Sequence, residues 1–282
     1  MSDVDCRNGA GRFSSTVLRI LSDLHLFDAG TQVRELRQLE PLLADVRTLV
    51  INGDSCEMLH GHNAEKASDM KRFFQERVPE VIFVTGNHDP VISDTHELLL
   101  ADGRVWVTHG DICFDDLTPW SRHRDELVAL VQAELARDPT LDYQSITGRL
   151  RVARAATQHL KETVDRLDPS LRARLVWIWH TLFPPRQPLA MLRAWRELPA
   201  RAAALAFAQR PSAQVVVTGH VHLPGVWPRK GGPTVVNTGS FLAPLGGHLV
   251  DLADDTLLVR RIVRRGGAFC PGRQIARIEL TK

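Results

Sequence analysis

The sequence predicts an α/β fold interrupted once by helices, on two observations. Short β-branched apolar runs alternate with segments of helical period along the first part of the chain. From about Trp120 to Arg210 the period becomes helical throughout, and strand signals then resume.

Val17-Leu18-Arg19-Ile20-Leu21 reads as the first strand. Val33 to Leu43 carries Leu36, Leu39, Leu42 and Leu43 at helical spacing. Thr48-Leu49-Val50-Ile51 is a short apolar run of buried-strand type, Glu65 to Glu76 reads as a helix, and Val81–Val84 and Val105–Val107 read as strands. In the central run Leu127, Leu130, Val131 and Leu135, then Leu150, Val152 and Ala155, then Leu189, Leu192 and Trp195 recur with helical period. Pro139, Pro169 and the Pro184-Pro185 pair divide this run into three or four helices. It is too long for a loop and reads as a helical cap inserted at about 120–212. Strands follow over Gln214–Thr218, Thr234–Asn237, Gly247–Leu252, Thr256–Val263 and Gln274–Leu280, with Gly231-Gly232-Pro233, Asp254-Asp255 and Gly266-Gly267 as turns. The expected organisation is a polar tail over 1–16 and one domain over 17–282 that contains the cap.

The 282 residues are 44% hydrophobic and 24% charged, a balance that buries a sizeable core and excludes a disordered chain. No stretch reaches the ~18–20 uninterrupted apolar residues of a spanning helix, and Met1 to Ser15 lacks the apolar centre of a secretory signal. The expectation is a cytoplasmic protein, at most peripheral to the inner face of a membrane. Cys6, Cys56, Cys113 and Cys270 are scattered without CxxC spacing, so they read as reduced small hydrophobes rather than a disulfide framework or a zinc knot.

Charge is uneven along the chain. Between Trp120 and Ser212 stand 15 Lys+Arg and 9 Asp+Glu, a net of +6, against a net of −4 elsewhere. A basic segment on an acidic scaffold points to an anionic ligand.

The chemistry sits just after the strands. In order the groups are Asp23-Leu24-His25, Gly53-Asp54, Gly86-Asn87-His88-Asp89, His109-Gly110-Asp111 and Gly219-His220-Val221-His222. In open α/β sheets the C-terminal strand edge is where ligands bind. Each group alone reads as a turn as readily as a ligand pair; five of them, all after strands, make coincidence a poor explanation. Carboxylates, imidazoles and an amide oxygen suit a pair of divalent ions such as Mn²⁺, Fe²⁺ or Zn²⁺, and the absence of thiolates suits an open hydrolytic site. Two ions about 3.5–4 Å apart can generate hydroxide at neutral pH and hold both attacking and leaving oxygens.

With this motif order the chain resembles the calcineurin-like metallophosphoesterases over roughly Val17 to Asp111 and Gln214 to Val263. The resemblance implies a sandwich of two mixed β-sheets flanked by helices. It also implies two divalent metals, Mn²⁺ foremost: Asp23, His25 and His222 holding one, Asn87, His109 and His220 the other, and Asp54 bridging them. His88 is then the catalyst that holds no metal, able as imidazolium to protonate the leaving oxygen. Glu57, three residues after the bridging Asp54, is the acid expected to orient it, while Asp89 ties down the loop.

For substrate choice the cap is the obvious place. Arg149, Arg151 and Arg154 fall together on one predicted helix and are candidates to grip phosphate bidentately. Arg172, Arg174, Arg186, Arg193 and Arg196 flank Leu175-Val176-Trp177-Ile178-Trp179, with Leu182 and Phe183 following, a composition that could also rest at a lipid interface. His109-Gly110-Asp111-Ile112-Cys113-Phe114-Asp115-Asp116 and the Gly53-Asp54-x-x-Glu57 spacing are similar to the UDP-diacylglucosamine pyrophosphatases of lipid A synthesis. His88 and Leu223 stand where those enzymes carry basic residues.

The leading expectation is therefore hydrolysis of a phosphate ester or pyrophosphate by a metal-activated hydroxide, on a phosphorylated small molecule, a nucleotide or a lipid-linked substrate. A phosphodiesterase acting on a cyclic nucleotide or on nucleic acid is the runner-up. Nucleic acid ranks low, because no strand interleaves aromatic and basic residues. A non-catalytic scaffold of the same fold ranks lower still, because all seven candidate metal positions carry competent side chains.

Overall fold

The computed structural model describes residues 17–58, 64–121, 123–164 and 186–281. One mixed sheet has the strand order β11-β10-β9-β1-β2-β3. In it β1 (Val17–Leu21), β2 (Val46–Asn52) and β3 (Glu80–Val84) run parallel, and β9 (His248–Ala253), β10 (Thr256–Arg265) and β11 (Ala268–Glu279) continue antiparallel. The second sheet has the order β4-β5-β6-β8-β7. Here β5 (Val105–Thr108), β6 (Val215–Thr218) and β8 (Thr234–Asn237) are parallel, with β4 (Glu97–Leu100) and β7 (Gly225–Trp227) antiparallel at the edges.

The period-2 alternation of the strands sorts their side chains into three layers. Ile20, Val50 and Val84 from one sheet meet Val105, Val107, Val215, Val217 and Val236 from the other in a dry seam between the sheets. Leu21, Leu49 and Ile51 point the opposite way, onto Met70 and Phe74 of α1 (Ala64–Gln75). Trp106, Val216 and Val235 likewise face α2 (Arg124–Arg137), α3 (Ile146–Val164) and α4 (Arg186–Gln209). On α4 the facing residues are Ala194, Leu198, Ala202 and Ala206, four apart along one stripe. Both faces of each parallel strand are thus buried. A one-residue slip would exchange whole layers, at about 1.5–3 kcal/mol for each large apolar side chain exposed. The result is the sandwich of two mixed sheets flanked by helices that the resemblance implies.

Three local readings are corrected. Val33 to Leu43 is no α-helix but a 3₁₀ helix over Leu36–Leu42, with Pro41 inside it. Proline supplies no N–H and clashes with the carbonyl four residues back, so an α-helical ladder cannot form there. Strands β4 and β7 lack a sequence signal: β4 is leucine-rich rather than β-branched, and β7 is three residues long and opens on glycine. Cys56 and Cys113 are buried free thiols whose pKa values burial pushes up, as small hydrophobes should be, but Cys270 is disulfide-bonded. Spacing along the chain does not report which distant segments meet in space. Among the described residues no helix is long and apolar enough to cross a membrane.

Candidate metal centre

Parallel strands all present their C-terminal ends on the same side, and the five motif groups leave from five such ends: β1, β2 and β3 in one sheet, β5 and β6 in the other. The loops turn sharply there. Asp23, His25, Asp54 and His220 all sit in the left-handed region, at φ 51°, 45°, 48° and 65°. Non-glycine residues adopt this conformation only at a cost of order 1–3 kcal/mol, and such residues cluster at functional sites. The packing leaves no room for side chains behind them. A Cβ on Gly86 would stand 2.2 Å from Asp54 Oδ1, and one on Gly219 would stand 2.1 Å from Asp23 Oδ2.

The structure brings the predicted residues into one cluster. Ligand atoms of Asp23, His25, Asp54 and His222 all lie within 4.8 Å of one another, as do those of Asp54, His109 and His220, so Asp54 is common to two groups each able to hold a metal ion. His25 Nε2 is 3.1 Å from His222 Nε2 and 3.8 Å from both Asp23 Oδ1 and Asp54 Oδ2. His222 Nε2 is 3.6 Å from Asp23 Oδ1. In the other group His109 Nε2 is 3.4 Å from Asp54 Oδ2 and 3.1 Å from Asn87 Oδ1. Neighbouring donors on one ion with bonds of about 2.1 Å stand roughly 3.0–3.4 Å apart, a range that holds the 3.1 and 3.4 Å pairs, while the 3.6 and 3.8 Å pairs stand a few tenths of an ångström wider. Asp54 Oδ2 is buried and accepts no hydrogen bond among the described residues, and Asp54 Oδ1 accepts the His88 N–H at 2.9 Å. A buried carboxylate oxygen without a donor is costly unless a cation sits against it.

Surrounding groups orient the donors. His109 Nδ1 donates to the Asn52 carbonyl (3.1 Å), which turns Nε2 toward Asp54 and Asn87. His220 Nε2 donates to the Leu117 carbonyl (2.8 Å), which leaves Nδ1 for the cluster. Leu117 is itself left-handed, at φ 53°. Ser22 donates to Asp23 Oδ2 and meets the Thr238 hydroxyl, while the His220 N–H reaches both Asp23 oxygens. Partners of this kind fix the tautomer and aim of a metal-binding side chain. Asp89 ties down the loop as expected, accepting from the Asp54, Ser55 and Gly86 N–H groups.

The electrostatics are those of a site built for positive charge. Burial works to raise the pKa of Asp54, but the imidazoles of His109 and His88 outweigh it and hold the carboxyl well below the usual range. Burial would lower His109, yet Asp54 lifts it to about 10. Burial, aided by neighbouring imidazoles, pushes His220 down to about 4 and His222 to about 3, so both are neutral donors at pH 7. His88 stands beside the cluster, its ring centroid 4.9 Å from that of His25, with Nδ1 held 2.7 Å from Glu57 Oε2.

The calcineurin-like phosphoesterase superfamily domain matches residues 17–253. The chain belongs to this superfamily. No curated protein sequence matches it. Among solved structures, a dimetal phosphatase from Danio rerio is 13% identical with a TM-score of 0.44, covering 93% of this chain and 98% of that one. Vps29 from Entamoeba histolytica, in complex with Zn²⁺, is 12% identical with a TM-score of 0.41, covering 93% and 98%. Vps29 from Cryptosporidium parvum is 14% identical with a TM-score of 0.39, covering 95% and 98%.

Arg149, Arg151 and Arg154 of α3 are each paired with a carboxylate. Arg154 is buried and donates to Asp111 at 2.9 and 3.3 Å and to the Thr85 carbonyl at 3.2 Å. Arg149 pairs with Asp115 (3.1 Å) and the Ile112 carbonyl (3.0 Å), and exposed Arg151 with Asp138 (3.3 Å). The three arginines expected to grip phosphate lie on one helix, and each stands against a carboxylate of its own. The Arg154–Asp111 pair ties α3 to the loops that carry Asn87 and His109. The apolar stretch Leu175 to Trp179, with Leu182, Phe183, Arg172 and Arg174, lies outside the described residues. Ser22 and Thr238 join the site from outside the five motif groups, although Asn237-Thr238-Gly239-Ser240 follows a strand just as those groups do. Trp120, whose ring lies 4.9 Å from His220, was likewise visible only as the start of the cap.

Proposed function

We propose that this chain hydrolyses a phosphate ester or pyrophosphate bond with two divalent ions, Mn²⁺ foremost. One ion is held by Asp23, His25 and His222, the other by Asn87, His109 and His220, and Asp54 is shared between them. The observation that carries this reading is the pair of donor groups meeting at Asp54, whose buried Oδ2 has no hydrogen-bond donor. Bound there, the ions supply a water deprotonated near neutral pH and positive charge against the phosphoryl oxygens.

The chain's own residues do the rest. Neutral His220 and His222 donate lone pairs without first losing a proton. Asp23 offers one oxygen to the cluster while Ser22 holds the other. His88 is the general acid: Glu57 engages Nδ1, leaving Nε2 as the atom that gives a proton to the leaving oxygen. Its side chain is 27% exposed, so an entering substrate can reach it, whereas the His25 and His109 rings are sealed behind it at 2% and 0%.

The test is hydrolysis by Mn²⁺-loaded and by chelated protein of an aryl monoester, an aryl diester, a cyclic nucleotide and a lipid-linked UDP-sugar. The reading predicts turnover of at least one, abolished by chelation and restored by Mn²⁺. Turnover confined to the lipid nucleotide would identify a pyrophosphatase, and turnover of the diesters a phosphodiesterase. Activity indifferent to chelation would overturn the reading.

A further inference from the structure

Among the described residues of the segment that is basic by count, Arg124, Arg137, Arg149, Arg151, Arg154, Arg193 and Arg201 each stand against a carboxylate, Arg193 and Arg201 sharing Glu197, while Arg196 has no carboxylate partner. The β10–β11 hairpin is the reverse. From Thr256 to Glu279 it holds six arginines and one acid. Arg260 is buried on Asp251 and Arg277 pairs with Glu279. Arg261, Arg264, Arg265 and Arg273 are exposed and have no carboxylate partner among the described residues.

Arg261 and Arg264 line a hollow of about 270 Å³, with Ser240, Phe241, Gly246 and Gly247 forming the opposite wall and no Asp or Glu in its lining. Ser240 is 1% exposed; its Oγ accepts the Leu242 N–H at 2.8 Å, which leaves the hydroxyl proton to donate. His248 stands opposite Arg261 in the β9–β10 register, and burial together with the Arg261 charge pushes its ring down to about 4. Protection of an exposed sheet edge accounts for Arg273 on β11 but not for these two. Arg261 pairs in register with His248 on one side, Arg264 with Phe269 on the other, and β10 is an inner strand. The hollow also lies at the functional end of the sheet. Ile20 pairs with Val250 and Val250 with Val259, so Arg261 and Arg264 continue past the end of β1. Phe241 in the wall donates its N–H to the Asp23 carbonyl at 3.0 Å.

We infer that this hollow is a second anion site, taking a phosphate group on Arg261, Arg264 and the Ser240 hydroxyl, apart from the metal centre. Guanidinium forks match phosphate oxygens bidentately. The volume lies below the roughly 300–1,000 Å³ of sites for drug-sized molecules, which suits one phosphate-bearing head group rather than a whole nucleotide. The phosphate belongs either to a free phosphorylated ligand or to a lipid head group, and the experiment separates the two.

The full chain is stripped of metal, so that the metal centre cannot hold the anion, and titrated with inorganic phosphate at low salt by calorimetry. In parallel it is sedimented with vesicles of phosphatidylcholine alone and of phosphatidylcholine with phosphatidylglycerol at about 3:1. Wild type binds phosphate, and Arg261→Gln/Arg264→Gln weakens it about tenfold or more. The control Arg72→Gln/Arg137→Gln, equal in charge change and made at exposed arginines already paired with Asp69 and Glu134, binds as wild type does. Sedimentation with the anionic vesicles alone, lost in the first variant and competed by phosphate, assigns a lipid head group. Phosphate binding without sedimentation assigns a soluble ligand. Equal binding by wild type and Arg261→Gln/Arg264→Gln, or no binding of phosphate or vesicle by wild type, overturns the inference. Circular dichroism and melting confirm that both variants fold. Mn²⁺-dependent hydrolysis is unchanged in Arg261→Gln/Arg264→Gln, so failure here and failure of the proposed reaction are read separately.

Discussion

Glu57 Oε2 stands 2.7 Å from Nδ1 of His88, and Asp54 Oδ1 accepts the backbone N–H of the same histidine. Burial alone would lower the pKa of His88, but the charges of Asp54 and Glu57 carry it to about 10. The imidazolium therefore persists through neutral pH in the metal-free protein, and ions bound next to Asp54 push it back toward neutrality.

Glu57→Gln keeps the shape of this pair and removes a charge that raises His88. The protonated form is then lost at lower pH, so the basic limb of the kcat profile moves down relative to wild type at equal metal loading. Superimposable profiles would reduce Glu57 to packing. His88→Ala is expected to hold both metals and lose about 10²–10⁴-fold in kcat.

Asp54→Asn removes the one carboxylate common to both donor groups. Turnover should vanish and bound metal should fall from two ions per chain to one or none, as read by elemental analysis after gel filtration. An active Asp54→Asn protein would remove the bridging role.

Metal uptake should release protons. His109 carries its proton up to about pH 10 in the metal-free chain, and a metal on Nε2 must displace it. As a histidine with a raised pKa, it stabilises the metal-free fold fully below its ordinary pKa and loses that contribution as pH rises through about 10. Metal affinity changes in the opposite sense, rising with pH across this range. A pH indicator in weakly buffered protein should report acidification on adding Mn²⁺, and His109→Gln should reduce it.

Arg154 and Asp111 form a buried ion pair between cap and sheet, with side-chain exposures of 9% and 0%. Burial would raise Asp111, but Arg154 and then His109 hold it below the usual range. Its stabilisation is therefore present above the ordinary carboxylate pKa and lost as pH falls through the depressed value. Arg154→Met strands a buried carboxylate and should cost about 3–5 kcal/mol at pH 7. The loss should shrink toward acid pH, where Asp111 is protonated, and a denaturation series across pH checks it.

Much of the site was legible because its signal is local. A polar group just after an apolar run needs only the adjacent residues to be recognised, and the candidate ligands Asp23, His25, Asp54, Asn87, His109, His220 and His222 all stand in such groups. The sheets were legible for the same reason, since the short β-branched apolar runs of β1, β2 and β6 are a short-range property. What failed depended on distance. Arg149, Arg151 and Arg154 share a helix, but their carboxylates come from two other segments, Asp111 and Asp115 after β5 and Asp138 after α2. The unneutralised Arg261 and Arg264 stood in a region whose net charge looked acidic, because its acids lie elsewhere in space. Pro41 was a local signal passed over in favour of the leucine spacing around it.

The most direct test of the two-ion centre is a count of Mn²⁺ bound by the chelated wild-type chain, titrated while the resonance of the free ion is followed by electron paramagnetic resonance. Two ions per chain are expected, with the second broadened by spin coupling to the first through Asp54. Saturation at a single ion, or two ions with no sign of coupling, would contradict it.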